Sequence, residues 1–195
     1  MNRLAAALLL ALPLVAGEYA TRVAQVARTP GFVALWDFVK TRDGRFDAHQ
    51  PRGANHDLSL DALNYVLDYW NQGRPATYAD FPLLGRGPFG QAILIRPETD
   101  PTFRPVLQVP RARLHNSRLD MKGPGRSVSL LAWVVRTGGN HAIAGIWHEG
   151  TDLNTESGLA ARVEAGRRQY APFAGLAANN RASAVHVSEN GGSSF

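Results

Sequence analysis

The stretch that decides the predicted fold runs from Ser127 to Gly150 and includes SVSLLAWVV over 127–135, TGGN over 137–140 and HAIAGIW over 141–147. The first and last parts are rich in β-branched and aromatic residues, which favour strands. The middle part contains two glycines and an asparagine, which favour a tight turn. This order predicts an antiparallel β-hairpin, and nothing in it supplies a catalytic group.

Other apolar runs recur roughly every ten residues and are separated by residues that favour turns, which is typical of a β-sandwich. The segment 60–70 also fits a helix, since its leucines have helical spacing, but 65–70 alternates like a strand, which we favour. The polar segment 40–59 is expected to be a loop. The further predicted strands are 32–39, 60–70, 91–96, 106–110, 158–163, 168–177 and 182–187.

Composition excludes several classes of protein. The chain has 195 residues, of which 45% are hydrophobic, and it contains 19 glycines and 12 prolines. These values predict one globular domain with many turns. The net charge is +5, but the arginines are scattered along the chain, so we expect no nucleic-acid partner. Cysteine is absent, which excludes disulfides, thiolate metal sites and thiol nucleophiles.

The N-terminus has the pattern of a secretory signal peptide over 1–17. A short basic start is followed by an apolar run over 4–16 and by small residues at Ala16 and Gly17. The run is too short for a transmembrane segment, which needs roughly 20 apolar residues. A buried N-terminal helix or an uncleaved anchor is the alternative. We therefore predict a secreted protein, extracellular or periplasmic.

Two further boundaries follow from the pattern. Residues 18–31 are expected to form an N-terminal linker or short helix, which ends at Thr29-Pro30-Gly31. Residues 32–195 are expected to form the sandwich. The chain ends on a turn signal at 189–192 with only three residues after it. We therefore expect a partial sandwich, cut at its C-terminus, from a longer secreted protein with other domains.

Four segments in order resemble the concanavalin A-like lectin/glucanase family, in its laminin-G-like jelly-roll form. They are LWDF at 35–38, GPFGQAILI at 87–95, VSLLAWV at 128–134 and AIAGIW at 142–147. The "YLDG" turn of the family's closing strands is absent. The resemblance implies an all-β antiparallel sandwich, a jelly roll, and commonly the binding of carbohydrate or protein on one face or rim.

Two groups of residues are candidate binding sites. Trp147, with His148 and Glu149 as polar neighbours, is a candidate platform on which the apolar face of a sugar would stack; the alternative is a core tryptophan at a strand end. Asp152, Asn154 and Glu156 place oxygen ligands at alternate positions, which suits Ca²⁺. The alternative is a solvated loop whose side chains bond to their own backbone.

Catalytic motifs are incomplete. The G-x-G-x-x-G match at 85–90 is not followed by a helix, so a nucleotide site is not expected. The His148-Glu149 pair lacks the second histidine of a zinc protease, since Asp152 stands in its place. No strand carries the paired carboxylates of a glycosidase. We therefore predict a non-catalytic module that recognises carbohydrate or a cell-surface glycoconjugate. The alternatives are part of a polysaccharide hydrolase whose catalytic residues lie outside this chain, and a structural spacer of a large surface protein.

Overall fold

The computed structural model describes residues 17–85, 87–96, 99–120, 127–135, 141–148, 169–176 and 183–186. The chain divides into two units. The first unit comprises Met1–Asn64, Pro75–Arg96 and Pro105–Asp120, and the second comprises Tyr65–Arg74, Pro97–Arg104 and Met121–Phe195. In chain order the elements are α1 (17–27), β1 (Thr41–Arg42), β2 (Arg45–Phe46), β3 (Asp61–Asn64), α2 (Tyr65–Trp70), a 3₁₀ turn (Tyr78–Asp80), β4 (Pro105–Gln108), α3 (Arg111–Leu114), β5 (His141–His148), β6 (Gln169–Leu176) and β7 (Ser183–His186).

Helix α1 covers most of the segment 18–31, for which a linker or a short helix was expected. It ends where Pro30 and Gly31 follow, because proline cannot continue the ladder and Gly31 takes a positive φ of 79°. The predicted signal peptide over 1–17 lies outside the described residues except for Gly17, so it stays a prediction. None of the described helices is long and apolar enough to cross a bilayer.

A β-hairpin, β1–β2, stands inside the polar segment that was expected to be a loop. Its turn is Asp43-Gly44, and both residues have positive φ, 50° and 77°. A two-residue turn with both central φ values positive matches the twist of the flanking strands, and Asp-Gly is among its preferred sequences. The ladder pairs Thr41 with Phe46. The hairpin brings Phe46 into contact with Phe38 and Tyr78, whose ring centroids each lie 5.6 Å away.

The strand predicted over 32–39 is wrong. Only Leu35 pairs there, with His49, as an isolated bridge. The extended chain stops because one carboxylate oxygen of Asp37, Oδ1, accepts the backbone N–H groups of Val39 at 2.9 Å and Lys40 at 3.0 Å. Such a local turn competes with strand pairing, and Phe38 takes a φ of 60° within it. The chain therefore turns where the apolar pattern predicted that it would continue.

The segment 60–70 is half strand and half helix, so the prediction of a strand over Tyr65 to Trp70 is wrong. Strand β3 pairs antiparallel with β4, and its last pair is Asn64 with Pro105. The strand predicted at 106–110 is confirmed, since β4 covers Pro105–Gln108. Helix α2 follows β3 directly and closes with the Asn71 N–H donating to the Leu67 carbonyl. Asn71 has a φ of 54°, a left-handed helix end that asparagine tolerates.

The glycine-rich segment is a turn, as expected, and leads into no strand. A Cβ on Gly87 would lie 1.5 Å from the Gln91 carbonyl oxygen, so only glycine fits there. The strand predicted over 91–96 is reduced to a bridge between Leu83 and Ile93. Because Gly87 and Gln91 approach so closely, the residues between them form a tight turn.

In the second unit, strands β5, β6 and β7 form a three-stranded antiparallel sheet in that order. This confirms strands at 141–147, 168–177 and 182–187. The hairpin predicted between 127–135 and 141–147 is not formed among the described residues. Residues 127–135 belong to no strand, and β5 pairs with β6. Trp133, within this segment, is 60% exposed.

The described residues hold two two-stranded sheets and one three-stranded sheet, beside three helices. A two-sheet jelly-roll sandwich is not seen among them, so the all-β fold stays a prediction. The predicted strand at 158–163 lies outside the described residues. The apolar core of the first unit is small, and it contains polar side chains as deeply buried as its apolar ones. Three of these polar residues, Asp37, Asp47 and Ser59, belong to networks of hydrogen bonds and ion pairs.

Candidate functional site

The predicted binding residues are only partly described. Trp147 and His148 are the last two residues of β5, and their Cα partners in β6 are Tyr170 and Gln169. Glu149 lies outside the described residues. The same is true of the predicted calcium ligands Asp152, Asn154 and Glu156. These residues stay candidates.

A buried carboxylate in the first unit was not singled out by the sequence. Asp37 is 2% exposed. Its Oδ1 is held by the two backbone N–H groups that form the turn, which leaves Oδ2 to face other side chains. The Tyr19 hydroxyl donates to Oδ2 at 2.7 Å, and His49 Nε2 lies 2.7 Å from the same oxygen. Three residues far apart in sequence thus meet at one oxygen atom.

The partners of this carboxylate are fixed by three different pieces of backbone. Tyr19 is placed by α1, Asp37 by its own turn, and His49 by its bridge to Leu35, whose two N–H···O bonds are 3.0 and 2.8 Å long. Because an ionised carboxylate only accepts hydrogen bonds, Nε2 of His49 carries a proton in this arrangement. The Tyr19 hydroxyl lies 3.2 Å from Nε2. The imidazole is therefore oriented from two sides.

Protonation in this cluster follows from its surroundings. Burial raises the pKa of Tyr19 above its ordinary value, and the hydrogen bond to Asp37 and the charge of Asp37 add to the rise. Burial also tends to raise the pKa of Asp37. The hydrogen bonds from the Lys40 N–H, Tyr19, the Val39 N–H and His49 outweigh it, so the pKa lies below its ordinary value. The carboxylate is thus ionised and the phenol neutral near pH 7.

A second cluster joins the polar segment to α3. The Arg113 guanidinium donates to Asp57 at 3.0 Å and to the hydroxyl of Ser59 at 2.6 Å. Its Nη2 lies 2.7 Å from an Asp61 oxygen, near enough for an ion pair but without hydrogen-bond geometry. Arg45 contacts both Asp57 and Asp61, each at 3.3 Å. Two guanidinium groups therefore bridge the same two carboxylates.

These contacts shift the pKa of Asp57. Burial tends to raise it, but the Ser59 hydroxyl and N–H and the Arg113 guanidinium hold it well below its ordinary value. The network continues through Arg42 to Asp47, which is 1% exposed and also binds Lys40 at 3.0 Å. Every charge in it has a partner of opposite sign. This cluster therefore fits a structural role better than a binding one.

Sequence signals for these sites existed but were local. Asp-Gly at 43–44 is a strong hairpin signal within a polar run. A hairpin there brings the residues on either side of it together, which places His49 beside the 35–37 segment. Nothing local indicated that Tyr19 or Arg113 would reach the same region, because their contacts span 18 and 56 residues. No cluster of three or more histidine, aspartate or glutamate side chains in the described part of the chain is arranged to hold a metal.

Compared with protein-family models, curated proteins and solved structures, the chain has no significant match in any of the three. The resemblance of its four segments to the concanavalin A-like family therefore stays a prediction from the sequence.

Proposed function

We propose that this protein is a secreted, non-catalytic module that recognises carbohydrate or a glycoconjugate at the end of the β5–β6 pair. The observation that carries the proposal is the pairing of Trp147 with Tyr170. Residues directly opposite each other in an antiparallel pair share one face, with Cβ atoms about 5 Å apart. Two aromatic residues are therefore backbone partners at the end of this sheet, and residues of this type stack on sugar rings.

The next pair supplies polar groups. His148 is opposite Gln169 at the last position of β5. Small-ligand sites combine an apolar surface with a few polar groups that set orientation. Imidazole and amide groups at the sheet end, with Glu149 immediately after, suit the hydroxyls around the rim of a sugar. The proposal therefore keeps the three predicted residues and adds Tyr170 and Gln169.

Binding without hydrolysis is supported by what the three strands lack. The sequences of β5, β6 and β7 are HAIAGIWH, QYAPFAGL and SAVH, and these strands contain no aspartate or glutamate. A glycosidase needs two carboxylates about 5–10 Å apart beside the bond that it cleaves. A platform on this sheet therefore has no catalytic pair on the strands themselves.

The test is a glycan array probed with the full-length chain, followed by titration of the best ligand. Trp147→Ala and Tyr170→Ala are each expected to weaken binding by about tenfold or more, since each removes an aromatic contact. Trp133→Ala is the matched control, because it makes the same change at an exposed tryptophan outside the pair. Binding of no glycan, or equal binding by all variants, would overturn the proposal. Release of reducing sugar from a bound glycan would favour the hydrolase instead.

A further inference from the structure

We propose that Tyr19, Asp37 and His49 form a binding site for one divalent transition-metal ion of the Zn²⁺ type. The site is independent of the proposed carbohydrate platform. It rests on the way in which three donor atoms, the Tyr19 hydroxyl oxygen, Asp37 Oδ2 and His49 Nε2, converge on one point.

The three atoms form a triangle with sides of 2.7, 2.7 and 3.2 Å. Zinc binds imidazole nitrogen and carboxylate oxygen at about 2.0–2.2 Å, so neighbouring ligand atoms around a tetrahedral ion are about 3.3–3.6 Å apart. The observed sides are shorter than that by about 0.1–0.9 Å, because the three atoms are hydrogen-bonded to one another. An outward shift of the hydroxyl and the imidazole by up to about 0.9 Å would open the triangle to the spacing that an ion requires.

The types of donor atom suit such an ion. Imidazole nitrogen suits zinc, copper, iron and nickel, and three protein ligands with an open position are typical of a metal site that also binds water. Only one histidine and one aspartate take part, and the third donor is a phenol.

The surroundings hold the carboxylate as a metal ligand requires. Two backbone N–H groups, those of Val39 and Lys40, bond to Oδ1 and so point Oδ2 at the other two donors. Ligating carboxylates are commonly oriented by such outer hydrogen bonds. The side chain of Asp37 is fully buried, whereas that of His49 is 21% exposed. An ion would therefore enter beside the imidazole and retain water on that side.

Metal binding changes where two protons reside. The proton on Nε2 of His49 must move to Nδ1, so that the Nε2 lone pair faces the ion. The phenol proton of Tyr19 passes to solvent if the oxygen binds as phenolate. Ligands must give up protons in this way for metal to bind. The hydrogen bonds that now share Oδ2 between two donors are replaced by three bonds to the ion.

The experiment is calorimetric titration of the metal-free full-length chain with Zn²⁺, repeated with Co²⁺ while visible absorption is recorded. We expect one ion per chain and Co²⁺ bands in the visible region. Tyr19→Phe and His49→Gln should each weaken Zn²⁺ binding by about tenfold or more, as each removes a ligand. His56→Gln is the matched control and should bind like the native chain.

Circular dichroism of each variant separates loss of a ligand from loss of the fold. Tyr19→Phe is the variant that should disturb the fold least, because it keeps the ring on α1 and removes only one oxygen. A second readout is the rise in the melting temperature with added Zn²⁺, which the native chain and His56→Gln should show and the two ligand variants should lose. Failure to bind either ion, or equal binding by Tyr19→Phe, His49→Gln and the native chain, would overturn the proposal.

Discussion

Two segments of this chain differ from what their composition predicts, since the polar one contains buried residues and the apolar one is exposed to solvent. The polar segment 40–59 contains Asp47 and Ser59, which are 1% and 0% exposed, whereas the apolar segment 127–135 contains Leu131 and Val135, which are 79% and 91% exposed. The polar side chains are buried because each meets an oppositely charged or hydrogen-bonding partner. Charged groups enter an interior only when paired. Burial here follows the partners that the fold supplies, and hydrophobicity alone does not predict it.

The largest expected effect comes from the buried carboxylate of the first unit. Asp37→Asn puts an amide NH₂ among four groups that donate hydrogen bonds to that carboxylate, so the free energy of unfolding should fall by about 3 kcal/mol. The measurement is urea unfolding followed by circular dichroism. Asp43→Asn is the control, since Asp43 is exposed in the hairpin turn, and it should change the free energy by less than about 0.5 kcal/mol. Equal stability of both variants would mean that Asp37 is solvated.

A smaller loss of stability is expected when Arg113, which joins α3 to the polar segment 40–59, is replaced. Arg113→Met removes one guanidinium partner of Asp57 and Asp61, but Arg45 remains paired with both, and both carboxylates are about one-third exposed and can regain water. We therefore expect a loss of about 1–2 kcal/mol in the free energy of unfolding. Arg52→Met, at an exposed position, is the matched control. If Arg113→Met lowered the free energy of unfolding as much as Asp37→Asn, water would be excluded from this cluster as fully as from the cluster around Asp37.

The same contacts predict how stability depends on acid. The pKa values of Asp37 and Asp57 are lowered in the folded chain, so the unfolded chain takes up protons first as the pH falls. The stabilisation is therefore complete above the ordinary aspartate pKa of about 4 and is lost as the pH falls through the lower folded values. Unfolding free energies measured at pH 7, 4 and 3 should decrease in that order. The decrease should be smaller in Arg113→Met, and an increase between pH 4 and 3 would contradict the assignment.

The smallest effect on stability is expected in the exposed apolar segment. Leu131→Ser should change the free energy of unfolding by less than about 0.5 kcal/mol, since the side chain is already in water. Leu58→Ser is the opposing control, because Leu58 is 2% exposed and should cost at least about 2 kcal/mol. Thermal melts of the three proteins make the comparison. A large loss in Leu131→Ser would place that side chain in a packed interior and remove the contrast.

Local patterns predicted the strands of the second unit correctly. The runs at 141–148, 169–176 and 183–186 are strands as expected. The run at 32–39 failed because Asp37 bonds the N–H groups of the next residues and turns the chain. The run at 65–70 failed because β3 ends at the pair of Asn64 with Pro105, and a helix takes over the residues that follow. In both runs, hydrogen bonds of a turn or a helix replace the strand pairing that the pattern predicted.

By itself the sequence determined the absence of cysteine chemistry, the scattered positive charge and most of the strands of the second unit. These follow from composition and from preferences that act over a few residues. Only the tertiary structure decided that Tyr19, Asp37 and His49 meet at one oxygen, and that Arg113 reaches Asp57. The physical reason is that a buried charge needs several donors at once, and here the backbone brings donors together that stand 12 to 56 residues away along the chain.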